Sequence, residues 1–248
     1  DKYGASTPGL VSVVTSGPGA RHTRFGCLNV SWYDKPRKEV RYKQAGRGGL
    51  GTVLRNKRVL ALVVIAPPFS LESMGAADLG AVKEAGKYHN AEVRELDPKQ
   101  NEMAVLGTTH ITTIMDHFDL LPVHNFRFGS HKDAAKLGAE EFRKRFHPGF
   151  DGCWTGCTVA CAHGVKDFEL RTGPLKGQKV WVDGPEYETV AGCGSSWGVF
   201  DPDFVIEVNF YCDTYGVDTI SAGTTTGFVM EAFEAGVITK EHTGGLDL

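Results

Sequence analysis

No apolar run in this 248-residue sequence is long enough to cross a bilayer. The longest, VLALVVIAPPF from Val59, falls short of the roughly 20 residues that a membrane-spanning helix needs and is more typical of a buried strand. An excess of basic charge is also missing, because the formal net charge is −3. This argues against a protein that binds nucleic acid or an anionic membrane through its charge. We see no signal peptide, repeat or low-complexity tract, although the sequence begins at Asp1 without a methionine, and we predict a cytoplasmic location.

Cysteine is sparse, with six in the chain. A secreted scaffold held by disulfides would be shorter and denser in cysteine. Three of the six are scattered, and we expect them to be small buried hydrophobic residues: Cys27, Cys193 and Cys212. The other three, Cys153, Cys157 and Cys161, are clustered in the segment CWTGCTVACAHG. Such clustering in a chain of this size indicates a metal or cluster site.

Three interpretations of the clustered cysteines remain open from the residues alone. They could form a stripe on a helix, although the surrounding glycines make a poor helix. They could form a zinc site together with His163, although that spacing is unusual. They could also hold three irons of a [4Fe–4S] cluster whose fourth ligand is distant in the sequence.

The hydrophobic pattern changes along the chain from strand-like to helical at about Gly75. The predicted strands are LVSVV from Leu10, RFGCLNVSW from Arg24 and RVLALVVIA from Arg58. The predicted helices are 77–89, 130–146 with Ser130 as N-cap, 201–216 with Asp201 as N-cap and Gly216 as its end, and one around 225–236. The sequence therefore predicts an α+β fold, with a β-rich part at 1–70 and a mostly helical domain at 71–248.

A glycine-rich stretch, GRGGLG at 46–51, matches the G-x-G-x-x-G pattern of dinucleotide-binding loops. Its surroundings do not fit, since such a loop follows a strand and opens a long helix. Here the preceding VRYKQA is polar, and the next apolar segment has the pattern of another strand. The glycines would still let backbone N–H groups approach a ligand, and Arg47 could grip a phosphate. The alternative is a tight connection between strands with an arginine at the surface.

Four segments together resemble the tungsten-containing aldehyde:ferredoxin oxidoreductases, and they occur in the same order. They are AGRGGLGTVLRNKRVLAL from Ala45, GCWTGCTVACAHG from Gly152, GPEYET from Gly184 and CDTYGVDTIS from Cys212. Members of this family are much longer, so we expect an internal portion of such a chain. It would hold the C-terminal part of a β-rich pterin-binding domain and most of the helical middle domain. A third domain, absent here, would supply the fourth cluster ligand from a D-x-x-G-L-C motif.

The resemblance implies a role for each segment. The first would grip the pterin phosphates and their magnesium ion, using Lys43, Gly46, Arg47, Gly48 and Gly49. The last would bind the pterin ring system through Asp213, Gly216, Val217 and Asp218, with Val217 in place of the usual leucine. Helix-end and turn chemistry is the alternative role for the two aspartates. The cysteines at 153, 157 and 161 would hold the [4Fe–4S] cluster.

Glu188 matches a glutamate that lies next to the metal in this family. A carboxylate enclosed in a pocket could act as a base on water or on an aldehyde hydrate, whereas a surface glutamate in a polar turn is the alternative. Two positions depart from the family pattern. One residue is inserted between Cys153 and Cys157, and an E-x-x-H metal site found between subunits in some relatives is reduced here to Glu207 and Phe210.

The resemblance implies an oligomeric oxidoreductase that carries tungsten or molybdenum on two pterins, a [4Fe–4S] cluster and magnesium. It would oxidise aldehydes to carboxylic acids and pass electrons to ferredoxin or another electron-transfer subunit. An alternative within the family is the tungsten-bearing subunit of a benzoyl-CoA reductase-type complex, acting on an aromatic acyl-CoA. An alternative of another class is a zinc-binding or electron-relay module without catalysis.

Overall fold

The structure is a computed structural model that describes residues 10–35, 37–66, 75–146, 149–151, 153 and 157–248. These residues have mixed α and β structure, as predicted. They divide into two compact units. The first unit comprises the described residues up to Leu96 together with Asp213–Asp218, and the second comprises Asp97–Cys212 together with Thr219–Leu248. The boundary near residue 70 that the composition predicts stays a prediction.

The first unit contains an antiparallel sheet of four strands among the described residues, in the order β3-β2-β1-β4. The strands are β1 Val11–Ser16, β2 Leu28–Asp34, β3 Glu39–Ala45 and β4 Ala61–Ile65. Strands β1, β2 and β4 confirm the three predicted strands, because each carries the β-branched and apolar residues that favour extended backbone. The expectation that the apolar run from Val59 would be buried was wrong, since β4 is exposed along its length among the described residues.

Strand β3 was not expected from its polar sequence. It pairs with β2 along its whole length, from Glu39 opposite Asp34 to Ala45 opposite Leu28. Arg41 on β3 is buried, and its Nη1 lies 3.3 Å from Oδ2 of the buried Asp34. Burial raises the pKa of Asp34, but hydrogen bonds from Arg37 and Arg41 outweigh it and hold the pKa below its usual value. The buried ion pair between Arg41 and Asp34 therefore lets this polar strand join the sheet. A hydropathy pattern does not reveal such a pair, so it could not predict β3.

The glycine-rich stretch lies between β3 and the helix α1, Leu50–Asn56. A strand does precede it and a helix does follow it, so the expectation about its neighbours was wrong. The helix has only seven residues, however, and the sheet is antiparallel. A dinucleotide-binding unit needs a parallel sheet and a longer helix, so that fold is excluded for the described part of the first unit.

The second unit is mostly helical. Helix α2, Leu79–Gln100, crosses the division between the two units. The helices that follow it in the second unit are α3 Met103–Leu106, α4 Ile111–His117, α5 Ala139–Phe146, α6 Tyr187–Cys193, α7 Pro202–Tyr215 and α8 Thr219–Glu234. A small antiparallel sheet contains β5 Gly149–Phe150, β6 His163–Glu169 and β7 Lys179–Asp183. Its core includes Leu137, Phe142, Val165, Val182, Val190, Val205 and Ile206, all buried.

Local sequence signals predicted one of these helices correctly and another incorrectly. For α7, the Asp201 side chain accepts a hydrogen bond from the Asp203 N–H at 3.0 Å, and Gly216 follows the helix with φ +66°. Both capping predictions are confirmed. The single helix at 130–146 is wrong, because a short 3-10 helix, Ala134–Leu137, is separated from α5 by the extended Gly138. The Ser130 hydroxyl donates to Asp119 instead of capping a helix.

Within the described residues, no helix combines enough length with enough apolar character to cross a membrane.

Candidate functional site

The glycine-rich stretch and the D-x-x-G-x-D motif meet in the first unit, although they are far apart in the sequence. Arg47 Nε donates to Asp218 Oδ1 at 2.7 Å across a sequence separation of 171 residues. The carboxylate side chain is 4% exposed and the arginine side chain 55% exposed. The structure therefore brings together two of the segments that the sequence singled out and gives them a charged contact.

Backbone hydrogen bonds hold the aspartate motif against the residues that precede β2. The Cys27 N–H donates to Gly216 O at 2.7 Å, and the Asp218 N–H donates to Phe25 O at 3.2 Å. Val217 forms a β-bridge with Gly26 between these two bonds. The position of Asp218 beside Arg47 is thus set by main-chain pairing and does not depend on the ion pair alone.

Glycine is needed in this region for two different reasons. Gly48 and Gly49 have φ values of +78° and +81°, which side chains other than glycine rarely adopt. Around Gly48 nothing lies within 4 Å of where a Cβ would be, so its backbone is open to a ligand. A Cβ on Gly49 would instead stand 2.1 Å from Arg24 O. The loop is therefore open at Gly48 and packed against the protein at Gly49.

The remaining predicted pterin-binding residues also lie in the first unit. Lys43 is half-buried on β3 opposite Val30. The Asp213 main-chain oxygen accepts a hydrogen bond from Gln44 Nε2 at 3.4 Å, and Gly46 is exposed with φ +71°.

Sequence reasoning missed Cys27 as a neighbour of this site, although it correctly expected a buried residue. Burial raises the pKa of its thiol to about 11, and the charges of Asp218 and Asp213 raise it while Arg47 lowers it. The thiol is therefore neutral at pH 7. The neighbouring Gly26 is closely packed, since a Cβ there would stand 2.8 Å from the Ala20 Cβ, and no pattern in the sequence identified Cys27 as a neighbour of the site.

The clustered cysteines are only partly described, because residues 154–156 lie outside the described residues. Cys153 is exposed, and Cys157 and Cys161 are half-buried. Residues 157–162 are not helical, so the helical stripe was a wrong interpretation. Burial raises the pKa of Cys161, and the charges of Glu186, Cys157 and Cys153 raise it further.

No metal-binding geometry is formed by the part of the chain that the structure describes. In those residues, no three His, Cys, Asp or Glu side chains are grouped closely enough to hold a metal ion. His163 Nε2 lies 3.1 Å from Ala104 O, so this ring nitrogen already has a main-chain partner. The donor chemistry fits a cluster or a zinc ion, and the cysteine assignment stays a prediction.

The two glutamates of GPEYET have different surroundings in the second unit. Glu186 accepts a hydrogen bond from the Thr108 hydroxyl, whose oxygen in turn accepts one from the Tyr187 N–H at 3.0 Å. Glu188 lies in the first turn of α6 and is exposed. Described residues therefore do not enclose Glu188, and its catalytic role stays a prediction.

Glu207, which remains from the E-x-x-H pattern, has a structural role. The buried Oε1 accepts hydrogen bonds from the Arg171 N–H at 3.1 Å, the Thr172 N–H at 2.6 Å and the Thr172 hydroxyl at 2.7 Å. Burial raises the pKa of Glu207, but these bonds and the Arg171 side chain outweigh it and lower the pKa. The carboxylate fixes the loop that follows β6.

We expect Glu207→Gln to lower the free energy of unfolding by about 2 kcal/mol at pH 7, since hydrogen bonds to a charged group are lost. The pKa of Glu207 is lower in the folded protein than its ordinary value of 4.5, so the ionised carboxylate stabilises the fold at pH values above 4.5. This stabilisation is lost as the pH falls through the folded-state pKa of Glu207. Urea denaturation at pH 7 and pH 3 should therefore show a smaller difference between variant and parent at pH 3. Glu234→Gln, at an exposed ion pair with Arg127, is the control and should change little. An equal loss at both pH values would contradict this account.

Comparisons with known proteins show which family this chain resembles. A family model described as "Aldehyde ferredoxin oxidoreductase, domains 2 & 3" matches residues 84–248. A tungsten-containing aldehyde ferredoxin oxidoreductase from Pyrococcus horikoshii is 29% identical over 204 residues, which cover 82% of this chain and 31% of that protein. Its counterpart from Pyrococcus furiosus is 28% identical over 203 residues, which cover 82% of this chain and 31% of that protein.

A further relative from Pyrococcus furiosus is described as "Aliphatic sulfonate oxidoreductase, WOR-like subunit". It is 37% identical over 89 residues, which cover 36% of this chain and 14% of that protein. The chain spans about a third of the length of the tungsten-containing relatives that it matches. Because the family model covers most of the sequence, the chain belongs to the aldehyde ferredoxin oxidoreductase family.

Proposed function

We propose that this chain is part of a tungsten–pterin oxidoreductase that oxidises aldehydes to carboxylic acids and passes the electrons to ferredoxin. The observation that carries the proposal is the ion pair between Arg47 and Asp218 beside the open backbone of Gly48. Two segments that resemble the pterin-binding segments of this family come together at this ion pair, which supports the proposal.

The residues of the first unit have the chemistry that a phosphorylated pterin needs. Phosphate groups favour backbone N–H groups in left-handed glycine loops and the planar fork of arginine. Gly48, Arg47 and Lys43 would hold the phosphates and their magnesium ion, and Asp213 and Asp218 would accept hydrogen bonds from the ring system. The Arg47 side chain is 55% exposed, so it remains accessible to a ligand while its Nε binds Asp218.

The bound cofactors would supply the two-electron oxidation and the onward transfer of single electrons. The task of the protein is to hold them and to move protons. We assign to the Glu188 carboxylate the removal of a proton from the water or aldehyde hydrate that reacts. Cys153, Cys157 and Cys161 would hold a [4Fe–4S] cluster, which is supported by the thiolate chemistry of three cysteines clustered in nine residues.

The substrate class needs its own test, because the name of one relative refers to an aliphatic sulfonate and the names of others refer to an aldehyde. Protein purified without oxygen should contain tungsten, iron and acid-labile sulfide, and should reduce a viologen dye with aldehydes. Turnover of alkyl sulfonates without turnover of aldehydes would mean that the substrate is a sulfonate and not an aldehyde. Zinc without tungsten or iron would overturn it in favour of a non-catalytic zinc module.

Arg47→Gln tests the pterin site directly. The variant keeps a side chain of similar reach but loses a charged donor to phosphate and to Asp218, so we expect about a tenfold or larger loss of tungsten retained after dialysis. Iron content should be unchanged, because the cysteines lie in the other unit. Arg94→Gln, at an exposed position on α2, is the control. Full tungsten content in the Arg47 variant would show that the glycine-rich stretch does not hold the cofactor.

A further inference from the structure

A second basic site lies in the first unit, at the C-terminal end of α1. A cavity of about 650 Å³ there is lined by Arg21, Arg55 and Arg58, together with Asn56, Ser16 and Val59 among others. No acidic residue is in its lining. Within the ranges that the structure describes, none of the three arginines forms an ion pair. Three arginines without an ion pair among the described residues therefore line one concave space.

The backbone at Arg58 shows that an arginine occupies a position that favours glycine. Arg58 has φ +59° and ends α1 in the geometry of a Schellman motif. The Arg58 N–H donates to Arg55 O at 2.8 Å, and the Val59 N–H donates to Leu54 O at 3.2 Å. Glycine is strongly preferred at this left-handed position, because a Cβ there crowds the backbone. Arg58 is one of nine non-glycine residues with positive φ among the described residues, so its place in the lining of the cavity is what singles it out.

The helix end alone does not explain the arginines. Positive side chains do stabilise the C-terminal end of a helix, and this accounts for Arg55. It does not account for Arg21, which belongs to a different segment, the 3-10 helix Pro18–Arg21. It also does not account for the choice of arginine over glycine at position 58.

We propose that this cavity binds a small polyanion that carries at least two phosphate groups. Its volume lies within the range of roughly 300–1,000 Å³ typical of small-molecule sites. Guanidinium groups bind phosphate through paired N–H donors, and Asn56 and Ser16 add neutral donors. Three arginines match the charge of a diphosphate better than that of a single phosphate. This site is separate from the glycine-rich stretch, which precedes the opposite end of α1.

Inorganic pyrophosphate is the probe, titrated by calorimetry into the cofactor-loaded protein against inorganic phosphate. We expect pyrophosphate to bind at least tenfold more tightly than phosphate. Arg21→Gln and Arg55→Gln should each weaken pyrophosphate binding about tenfold, whereas Arg94→Gln should leave it unchanged.

Arg58→Gly is the decisive variant because folding and binding should move in opposite directions. Relief of the left-handed strain should raise Tm by about 2–4 °C, and pyrophosphate binding should fall at least tenfold. Equal binding by the Arg58 variant and the parent would overturn the proposal. Loss of binding in Arg47→Gln but not in the three pocket variants would also overturn it, by assigning the anion to the pterin segment. Binding of an acidic polypeptide such as polyglutamate without binding of pyrophosphate would assign the patch to a protein partner instead.

Discussion

Gly51→Ala should lower the free energy of unfolding of the first unit by about 3 kcal/mol or more, at the upper end of what overpacking costs. A Cβ at this position would stand 2.0 Å from Cys27 O and 2.5 Å from Cys27 C. Both atoms are main-chain atoms next to β2, so they cannot move aside as the end of a side chain could. Helix α1 would have to lift away from the sheet. Urea denaturation followed by circular dichroism measures the loss.

Gly48→Ala is the matched control for Gly51→Ala. Gly48 has φ +78° but open space around it, so alanine there meets strain in the backbone and no collision. We expect a cost of about 1 kcal/mol from that strain. The pair separates packing from backbone conformation within one short segment. If Gly48→Ala were as damaging as Gly51→Ala, the close contact between α1 and Cys27 would not be what limits position 51.

Cys157→Ser should remove most of the iron and acid-labile sulfide from the protein and abolish the EPR signal of a reduced cluster. A serine hydroxyl is a poor ligand for iron in place of a thiolate, and a cluster held by the remaining cysteines would be labile. Tungsten content should be largely retained, since the proposed pterin-binding residues lie in the first unit and Cys157 lies in the second.

Cys212→Ser is the control for the cluster prediction, because Cys212 is half-buried in α7 and is not one of the clustered cysteines. The control should keep iron, sulfide and signal. An unchanged signal in Cys157→Ser would mean that the cluster, if present, is held by other residues. Loss of bound zinc in Cys157→Ser, from a parent protein without iron, would support the zinc interpretation of CWTGCTVACAHG.

Local signals in the sequence predicted those elements whose stability is mainly local. The caps of α7 at Asp201 and Gly216 and the apolar run of β4 are examples. Strand β3 was missed because what stabilises it is the pairing with β2 and the buried contact between Arg41 and Asp34. The helix at 130–146 was predicted too long because its pattern does not reveal the extended Gly138.

The candidate site was predictable in its parts but not in its assembly. Similarity of motifs pointed to Arg47 and Asp218 separately, and composition assigned Asp218 to the helical part of the chain. Nothing in the sequence states that the residues around Asp218 pair with Phe25 and Cys27. That pairing is a long-range contact, and its partner can be identified only when the sheet is known.

The separation of 171 residues between Arg47 and Asp218 has a consequence for synthesis on the ribosome. At roughly 5–20 residues per second, the aspartate is made about ten to thirty seconds after the arginine. During that interval β1–β4 can form, while the main-chain groups of Phe25 and Cys27 still lack their partners. A cofactor that needs both segments can therefore be inserted only after translation has passed α7. Production at lower temperature, or with slower-translated codons after residue 96, would lengthen the time for which this edge of the nascent protein stays open.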